Sequence, residues 1–589
     1  MTESNLVVNL RRNKSLSLKK VWKISLIALL VLLLLLAAVA IYAVTTFKPN
    51  DLKPRITNYF QQKYQRKLVI PGDLQLSLWP VLHIESGPLS LMEKNGKDVF
   101  ASLQSVKTSL LWRPLIDGRF EVNDVTLDAP SLHFQRLADG TTNIDDFFAG
   151  GGATPPFDIK GLKINNASLQ FDNQQARWSW RKTNVVIGRL ANNTPTDVSF
   201  NGDLVLNNDD MNVHVEVKSP LLFDLDKQSV AMEKLVLAIK GATKADRSAM
   251  NQVTLNATGA MALDGVKKTG LFNDWNLQSQ LERGGEKWNA QVSFAEAVQE
   301  GKNWRAKNIS SQAEQQTASY SLNTTLTAPA FTYVDERMSS NELKLVAQWK
   351  AKAATSAKKT AQPTPDAIDA VLTIGVLDDV NNTGDHANVY NLQGAHLEAK
   401  GVIDHAPVKI QADSDIQIIN NNQIVTKSPL KLTFSYQPEG VALEGSLKTG
   451  AQIVLEQGQY DLSAMTLDMK IVPKDFKQAL ALNGTGTLRA DLKRKNISAT
   501  LKGKLNDAKL EAKLGMPKFA PPAYTFDVLL SQFNTAWLES KTVAAKTPTE
   551  LPDFSWIKKL NANGVLRIGE LIAADKRASN VRIEVKSDK

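Results

Sequence analysis

The chain has 589 residues, 43% hydrophobic and 22% charged, a composition that excludes wholesale disorder. Its 70 basic and 60 acidic residues leave a formal charge of +10, but the two signs are mixed along the chain. That speaks against nucleic-acid binding, which concentrates basic charge in a stripe or tail. There is no cysteine, so disulfides, thiolate nucleophiles and cysteine metal sites are excluded together.

The one dense basic cluster is N-terminal: Arg11, Arg12, Lys14, Lys19, Lys20 and Lys23, against the single acid Glu3. It precedes ISLIALLVLLLLLAAVAIYAV (24–44), an uncharged apolar run of 21 residues. As a helix that run is about 30 Å long, enough to cross a bilayer core. The positive-inside rule leaves the N-terminus in the cytoplasm and exports the rest. The alternative is a cleaved signal peptide ending at Ala38-Val39-Ala40, although the run exceeds a signal core of about 7–15 residues. A retained single-pass anchor is the expectation.

Next, NDLKPRITNYFQQKYQRK predicts a short amphipathic helix with Leu52, Ile56, Phe60 and Tyr64 on one face. Asn50 or Asp51 stands ready to cap it ahead of Pro54. Such a helix plugs the end of a sheet more readily than it binds a partner.

Strand patterns follow. In LQLSLWPVLHIESGPLSL (74–91), Leu74, Leu76, Leu78, Leu82 and Ile84 fall on even positions, the period of a half-buried strand. Pro80 cannot donate to a sheet ladder, so a break belongs nearby. A hairpin with the three-residue loop Trp79-Pro80-Val81 pairs Leu78 with Leu82 and Leu76 with Ile84. A two-residue turn would pair Leu76 with His83 and put polar groups on the apolar face. A single kinked strand also keeps the parity, but the hairpin is favoured. The parity flips at Ser86-Gly87-Pro88, where a bulge or bend is expected before Leu89 and Leu91.

Similar alternation recurs in VTLNATGAMAL (253–263), LKLVAQW (343–349), LKLTFSY (430–436) and MTLDMKIV (465–472). Turn dipeptides stand between such runs: Asn95-Gly96, Asp117-Gly118, Asp139-Gly140, Asn201-Gly202, Asp264-Gly265, Asn483-Gly484 and Asn563-Gly564. The expected organisation is a basic tail (1–23), a transmembrane helix (24–44) and a first β region (45–349). A flexible Ala/Lys/Pro linker or insertion (350–367), a second β region (368–540), a linker (541–552) and C-terminal strands (553–589) complete it.

Enzyme chemistry finds no support. His83, His133, His214, His386, His396 and His405 are scattered, without HExxH or another close metal-ligand spacing. No GxSxG elbow is present. AGGGATPP (149–156) lacks the Lys-Ser/Thr and helix of a phosphate cradle, and NGTGTLRADL (483–492) lacks the third glycine of a dinucleotide fingerprint. Asp145-Asp146 and Asp209-Asp210 read as cap and turn residues. No catalytic residue, metal or cofactor is expected. A sheet with one apolar face must still cover that face, either by folding into sandwiches or by curling into a trough.

Several stretches together resemble the AsmA family of bacterial envelope proteins. They are PNDLKPRITNYFQQKYQRKLVIPGDLQLSLWPVLHIESGPLSL after the anchor and VKTSLLWRPLIDGRFEVNDVTLDAPSLHFQRLADGTTNIDDF (106–147). AYTFDVLLSQFNTAWL (523–538) and DFSWIKKLNANGVLRIGELIAADKRASNVRIEVK (553–586) are similar to segments of the family's C-terminal half. The resemblance implies a bacterial inner-membrane anchor and a periplasmic, elongated, curled antiparallel β-trough. That β-taco is related to chorein-type bridge-like lipid transfer proteins. It implies phospholipids as partners, a role in outer-membrane homeostasis and no catalytic residues. Family members usually continue past RIGELIAADKRASNVRIEV, so the end at Lys589 is expected to be that of a short member or a truncated product.

Exposing one sixteen-carbon chain to water costs roughly 12 kcal/mol at about 0.8 kcal/mol per methylene, a barrier that a continuous apolar trough removes. The candidate lining is Leu74, Leu76, Leu78, Leu82 and Ile84. The competing reading is a scaffold for outer-membrane protein assembly that pairs with clients through sheet edges, making outer-membrane or periplasmic proteins its partners. An upper limit of roughly 200 Å of sheet follows from strand spacing.

Overall fold

The computed structural model describes residues 27, 29–35, 38, 48–77, 82–111, 122–136, 141–148, 158–172, 177–206, 210–246, 249–352, 365–379, 388–519, 522–539, 541, 561–574 and 576–586. The expected membrane segment 24–44 lies largely outside them. Its described residues 27, 29–35 and 38 are helical, and among the described residues no helix is long and apolar enough to cross a membrane. The rest of the protein is mainly β and forms two units, 1–209 and 210–589.

In the first unit a 3-10 turn, Pro49–Asp51, leads into the helix Leu52–Tyr64, which ends at Gln65 with φ 56°. The expected side-chain cap is not made. Asn50 instead accepts a hydrogen bond from the Leu74 N–H at 3.0 Å, tying the helix start to the first strands. No helix residue is fully buried, and Ile56 is exposed while Leu52, Phe60 and Tyr64 are half-buried.

Gln75–Ser77 pairs with His83–Ser86 in antiparallel register, Leu76 opposite Ile84. That is the register of the three-residue loop, whose own residues and Leu78 lie outside the described set. Gly87-Pro88 interrupts the strand where the parity flips, separating His83–Ser86 from Leu89–Met92. His83–Ser86 pairs with Ser105–Leu110, and that strand with Val122–Asp128. Leu89–Met92 pairs with Val99–Leu103, which continues to Ser131–Gln135.

The expectation of a purely antiparallel sheet needs correction at three pairings. Gly161–Asp172 runs parallel to Val122–Asp128 and then to Ser131–Gln135, and in the second unit Pro522–Asn534 runs parallel to Ala562–Ala573. A parallel pair needs a crossover that carries the chain back along the strand. Residues 136–160 and 535–561 supply those crossovers, and the segment 541–552 falls within the second.

In the second unit the strands from Met211–Asp224 to Pro522–Asn534 pair antiparallel, nearly always with their sequence neighbours. Of the stretch 350–367, expected as a linker or insertion, residues 350–351 and 365–367 belong to paired strands, and 353–364 lie outside the described residues. Arg337–Ala351 and Pro365–Asp379 pair directly, with Trp349 opposite Ile368, and the boundary between units falls at 209/210.

Asn483-Gly484, Asn201-Gly202 and Asn563-Gly564 sit inside strands rather than at turns. A Cβ on Gly486 would lie 1.9 Å from the Thr500 carbonyl oxygen, and one on Gly503 would lie 2.0 Å from that of Asn483. Glycine serves there because adjacent strands approach too closely for any side chain. A Cβ on either would point to the apolar side of the sheet.

Gly486→Val is expected to cost about 1–3 kcal/mol through overpacking. Thr485→Val, on the opposite face, should stay within about 0.5 kcal/mol of the native protein. Urea unfolding followed by far-UV circular dichroism reads both.

Candidate functional site: a continuous apolar sheet face

Side chains alternate across a strand, and paired residues of neighbouring strands share a face. Following the pairing across the second unit from Val217 therefore traces one row. It runs through Leu237, Ala257, Leu277, Val292, Ser311, Leu326, Leu345, Leu372 and Leu397. It continues through Ala412, Leu432, Leu447, Leu467, Gly484, Gly503, Leu510, Leu530, Ile568 and Val581. No charge interrupts twenty strands, and only a serine and two glycines depart from apolar side chains. At about 4.8 Å per strand the row is roughly 90 Å long measured along the sheet.

The next residue on each strand faces the other way. That row reads Lys218, Val236, Thr258, Asn276, Ser293, Ser310, Thr327, Lys344, Thr373 and His396. Asp413, Lys431, Lys448, Thr466, Thr485, Lys502, Glu511, Leu529, Arg567 and Arg582 complete it. Its charges are satisfied locally or in water: His396 Nδ1 lies 2.6 Å from the Asp413 carboxylate, with side chains 41% and 58% exposed. The sheet thus has one polar and one apolar face. From Leu277 to Leu467 the apolar row is half-buried, neither sealed as a core nor fully open.

The first unit repeats the pattern. Leu76 and Ile84 head a row through Thr108, Val125, Leu162, Ile187 and Val198, with one polar member. Both are half-buried. Leu82 is half-buried beyond the strand end, and its carbonyl accepts from Leu110 N–H at 2.9 Å. Leu74 precedes the strand, and Leu78 lies outside the described residues. A second row joins Leu68, Leu91, Ala101, Leu132, Leu169, Trp180 and Leu204.

One polar cluster in the first unit went unread in the sequence. Arg66, 1% exposed, donates from Nε to Asp146 at 2.8 Å, from Nη1 to Glu93 at 2.9 Å and from Nη2 to Asp146 at 3.0 Å. Nη2 also donates to the Asn143 carbonyl, and the guanidinium lies 4.5 Å from the centre of the Phe100 ring. Asp145-Asp146, expected to cap a turn, opens a short helix, Asp145–Phe148, and Asp146 anchors it to Arg66. A cavity of 760 Å³ opens beside this knot. Its size would suit a small ligand, but its charges are engaged: Arg66 with Glu93 and Asp146, Lys94 with Asp146, Asp98 with Asn95 and Asp145 with Thr142. Among the described residues no group of three His, Cys, Asp or Glu side chains is placed to hold a metal ion.

The architecture is that of a sheet protein whose distinguishing feature is an extended face. The AsmA family profile matches residues 18–327, more than half of the chain, and the protein belongs to the AsmA family. Neither the curated proteins nor the solved structures yield a match.

Burial pushes the Asp146 carboxyl up, and the hydrogen bonds and charge of Arg66 outweigh it, holding the group below its usual range. Its contribution to stability is complete above the ordinary aspartate value of about 4 and is lost as pH falls through the depressed folded value. Arg66→Met should cost about 3–5 kcal/mol at neutral pH by leaving buried carboxylates unpaired. The gap to the native protein in urea unfolding should narrow as pH falls below about 4.

Proposed function

We propose that the protein binds phospholipid acyl chains along the apolar face of its sheet and supports lipid movement between the membranes of the bacterial envelope. The observation that carries this reading is the uncharged row of twenty strands backed by a polar face. A lipid needs that division, with its tails against Leu345, Leu372 and Leu397 and its headgroup in water. The row's length of roughly 90 Å is several times the ~15 Å depth of one leaflet's chains, so several lipids fit end to end. The close approach of strands at Gly486 and Gly503, on the apolar side, supports a trough over a flat sheet.

In this proposal residues 24–44 anchor the chain in the inner membrane, with the basic N-terminus in the cytoplasm and the sheet in the periplasm. Leu76 and Ile84, 32 and 40 residues beyond that segment, are proposed to contact acyl chains in the first unit, together with Leu74, Leu78 and Leu82. The protein acts without catalysis, since nothing in a transfer path requires a bond to be made or broken. Membership of the AsmA family supports a role in lipid transport or outer-membrane assembly.

A photoreactive side chain at Leu345 should label phospholipid when the full-length protein is irradiated in its native membrane, and one at Lys344 should not. The same contrast is expected between Leu76 and Gln75. Equal labelling on both faces, or none on either, would count against the reading. Protein clients trapped in place of lipid would favour the scaffold.

A further inference from the structure

The apolar face of the 210–589 unit is covered at its last strands by the chain itself. Leu510 and Leu530 are 8% and 6% exposed, whereas Leu345, Leu432 and Leu467 on the same row are half-buried. After Pro522–Asn534 the chain turns through the 3-10 segment Thr535–Leu538. Trp537, 7% exposed, packs there with Ala508, Leu510, Ala512 and Leu530, and Leu501 and Leu505 lie against the same cluster.

The turn is fastened at both ends. The Asn534 side chain accepts from the Ala536 N–H at 2.9 Å. Farther on, Lys477 N–H donates to the Glu539 carbonyl and Lys541 N–H to the Asp475 carbonyl, each at 2.8 Å. The Lys477 ammonium adds an ion pair with the Glu539 carboxylate at 3.1 Å. Asp475 and Lys477 belong to the connection between Gln459–Pro473 and Leu480–Asp491. The segment therefore forms a strap that links the end of Pro522–Asn534 to the connection before Leu480–Asp491, past the intervening strands Ala508–Phe519 and Asn496–Leu505, with the indole in the apolar cluster.

We propose that this strap competes with acyl chains: Trp537 occupies the apolar surface that a lipid chain would otherwise take on the last strands, and release of the strap opens it. The inference rests on the acyl-chain reading of the face. Its fastenings suit a reversible cover. The Lys477–Glu539 pair is solvent-exposed, and such pairs hold weakly. Besides the two backbone hydrogen bonds, the hold on the apolar surface is one aromatic side chain, for which an acyl chain substitutes in kind. Covering Trp537's site from within also limits the apolar surface exposed when no lipid is present.

The test uses the full-length protein mixed with vesicles of phosphatidylethanolamine and phosphatidylglycerol, with a photoreactive side chain at Leu501, packed against the cluster that holds Trp537, or at the distant Leu345. Lipid labelling at Leu501 should be weak in the otherwise native chain and rise several-fold with Trp537→Ala, while labelling at Leu345 is unchanged. A second variant, Lys477→Cys with Glu539→Cys, exploits the absence of other cysteines. Oxidation to the disulfide by added copper-phenanthroline should suppress labelling at Leu501, and reduction by a thiol should restore it. Labelling at Leu501 as strong as at Leu345 in the native chain overturns the proposal. So does an unchanged Leu501 signal in Trp537→Ala while Leu345 still labels. Absence of labelling at Leu345 in every chain overturns the acyl-chain reading itself, and the strap proposal with it.

Discussion

The constraint on which the rest depends is that a sheet with one apolar face has to do something with that face. In the 210–589 unit the described residues supply no helical layer and no second sheet to cover it; beyond the strands there is only the four-residue turn at Thr535–Leu538. Strand alternation puts Leu277, Leu345, Leu372 and Leu467 on one side, and pairing register aligns them into a single row. In the proposed trough, curling toward that side reduces their exposure, and Gly486 and Gly503, which let neighbouring strands approach closely there, make it sterically feasible. The outcome is a row held half-buried over most of its length, a poor core and a good surface for another apolar chain.

Much of this was legible in the sequence because the signal is local. The even parity of Leu76 and Ile84 requires only that a strand alternate, and the observed register places them opposite each other. The break at Gly87-Pro88 is visible for the same reason: a proline and a change of parity occur together. Long runs such as 343–349 and 465–472 are strands with the expected apolar side, and together they make the face that the amino-acid pattern implies.

What was not legible depends on partners far apart in sequence. Asn483-Gly484 and Asn563-Gly564 have the composition of tight turns, yet they lie in mid-strand because the adjacent backbone leaves no room for a Cβ. Whether Gly161–Asp172 pairs parallel or antiparallel is decided by the path of the preceding crossover, on which the strand's own alternation is silent. Arg66 looked like one basic residue among several in KYQRK. Its significance comes from Asp146, 80 positions away, and from Glu93. Burying a guanidinium is costly unless it is paired and hydrogen-bonded, and here both carboxylates, a carbonyl and an aromatic face meet it. That cluster fixes the start of the sheet to a short helix. Trp537 was similarly inconspicuous, since a tryptophan three residues past a strand gives no sign of which surface it will cover.

The central claim is that acyl chains bind the apolar row and not the polar one, and bound-lipid stoichiometry tests it most directly. Phospholipid co-purified with the full-length protein can be counted by mass spectrometry for the native chain, for Leu372→Lys in the middle of the apolar row and for Thr373→Lys on the opposite face. The account predicts a several-fold loss of bound phospholipid for Leu372→Lys and native stoichiometry for Thr373→Lys, with both variants retaining the far-UV spectrum of the native sheet. Equal lipid content in all three chains, or equal loss in both variants, would contradict it.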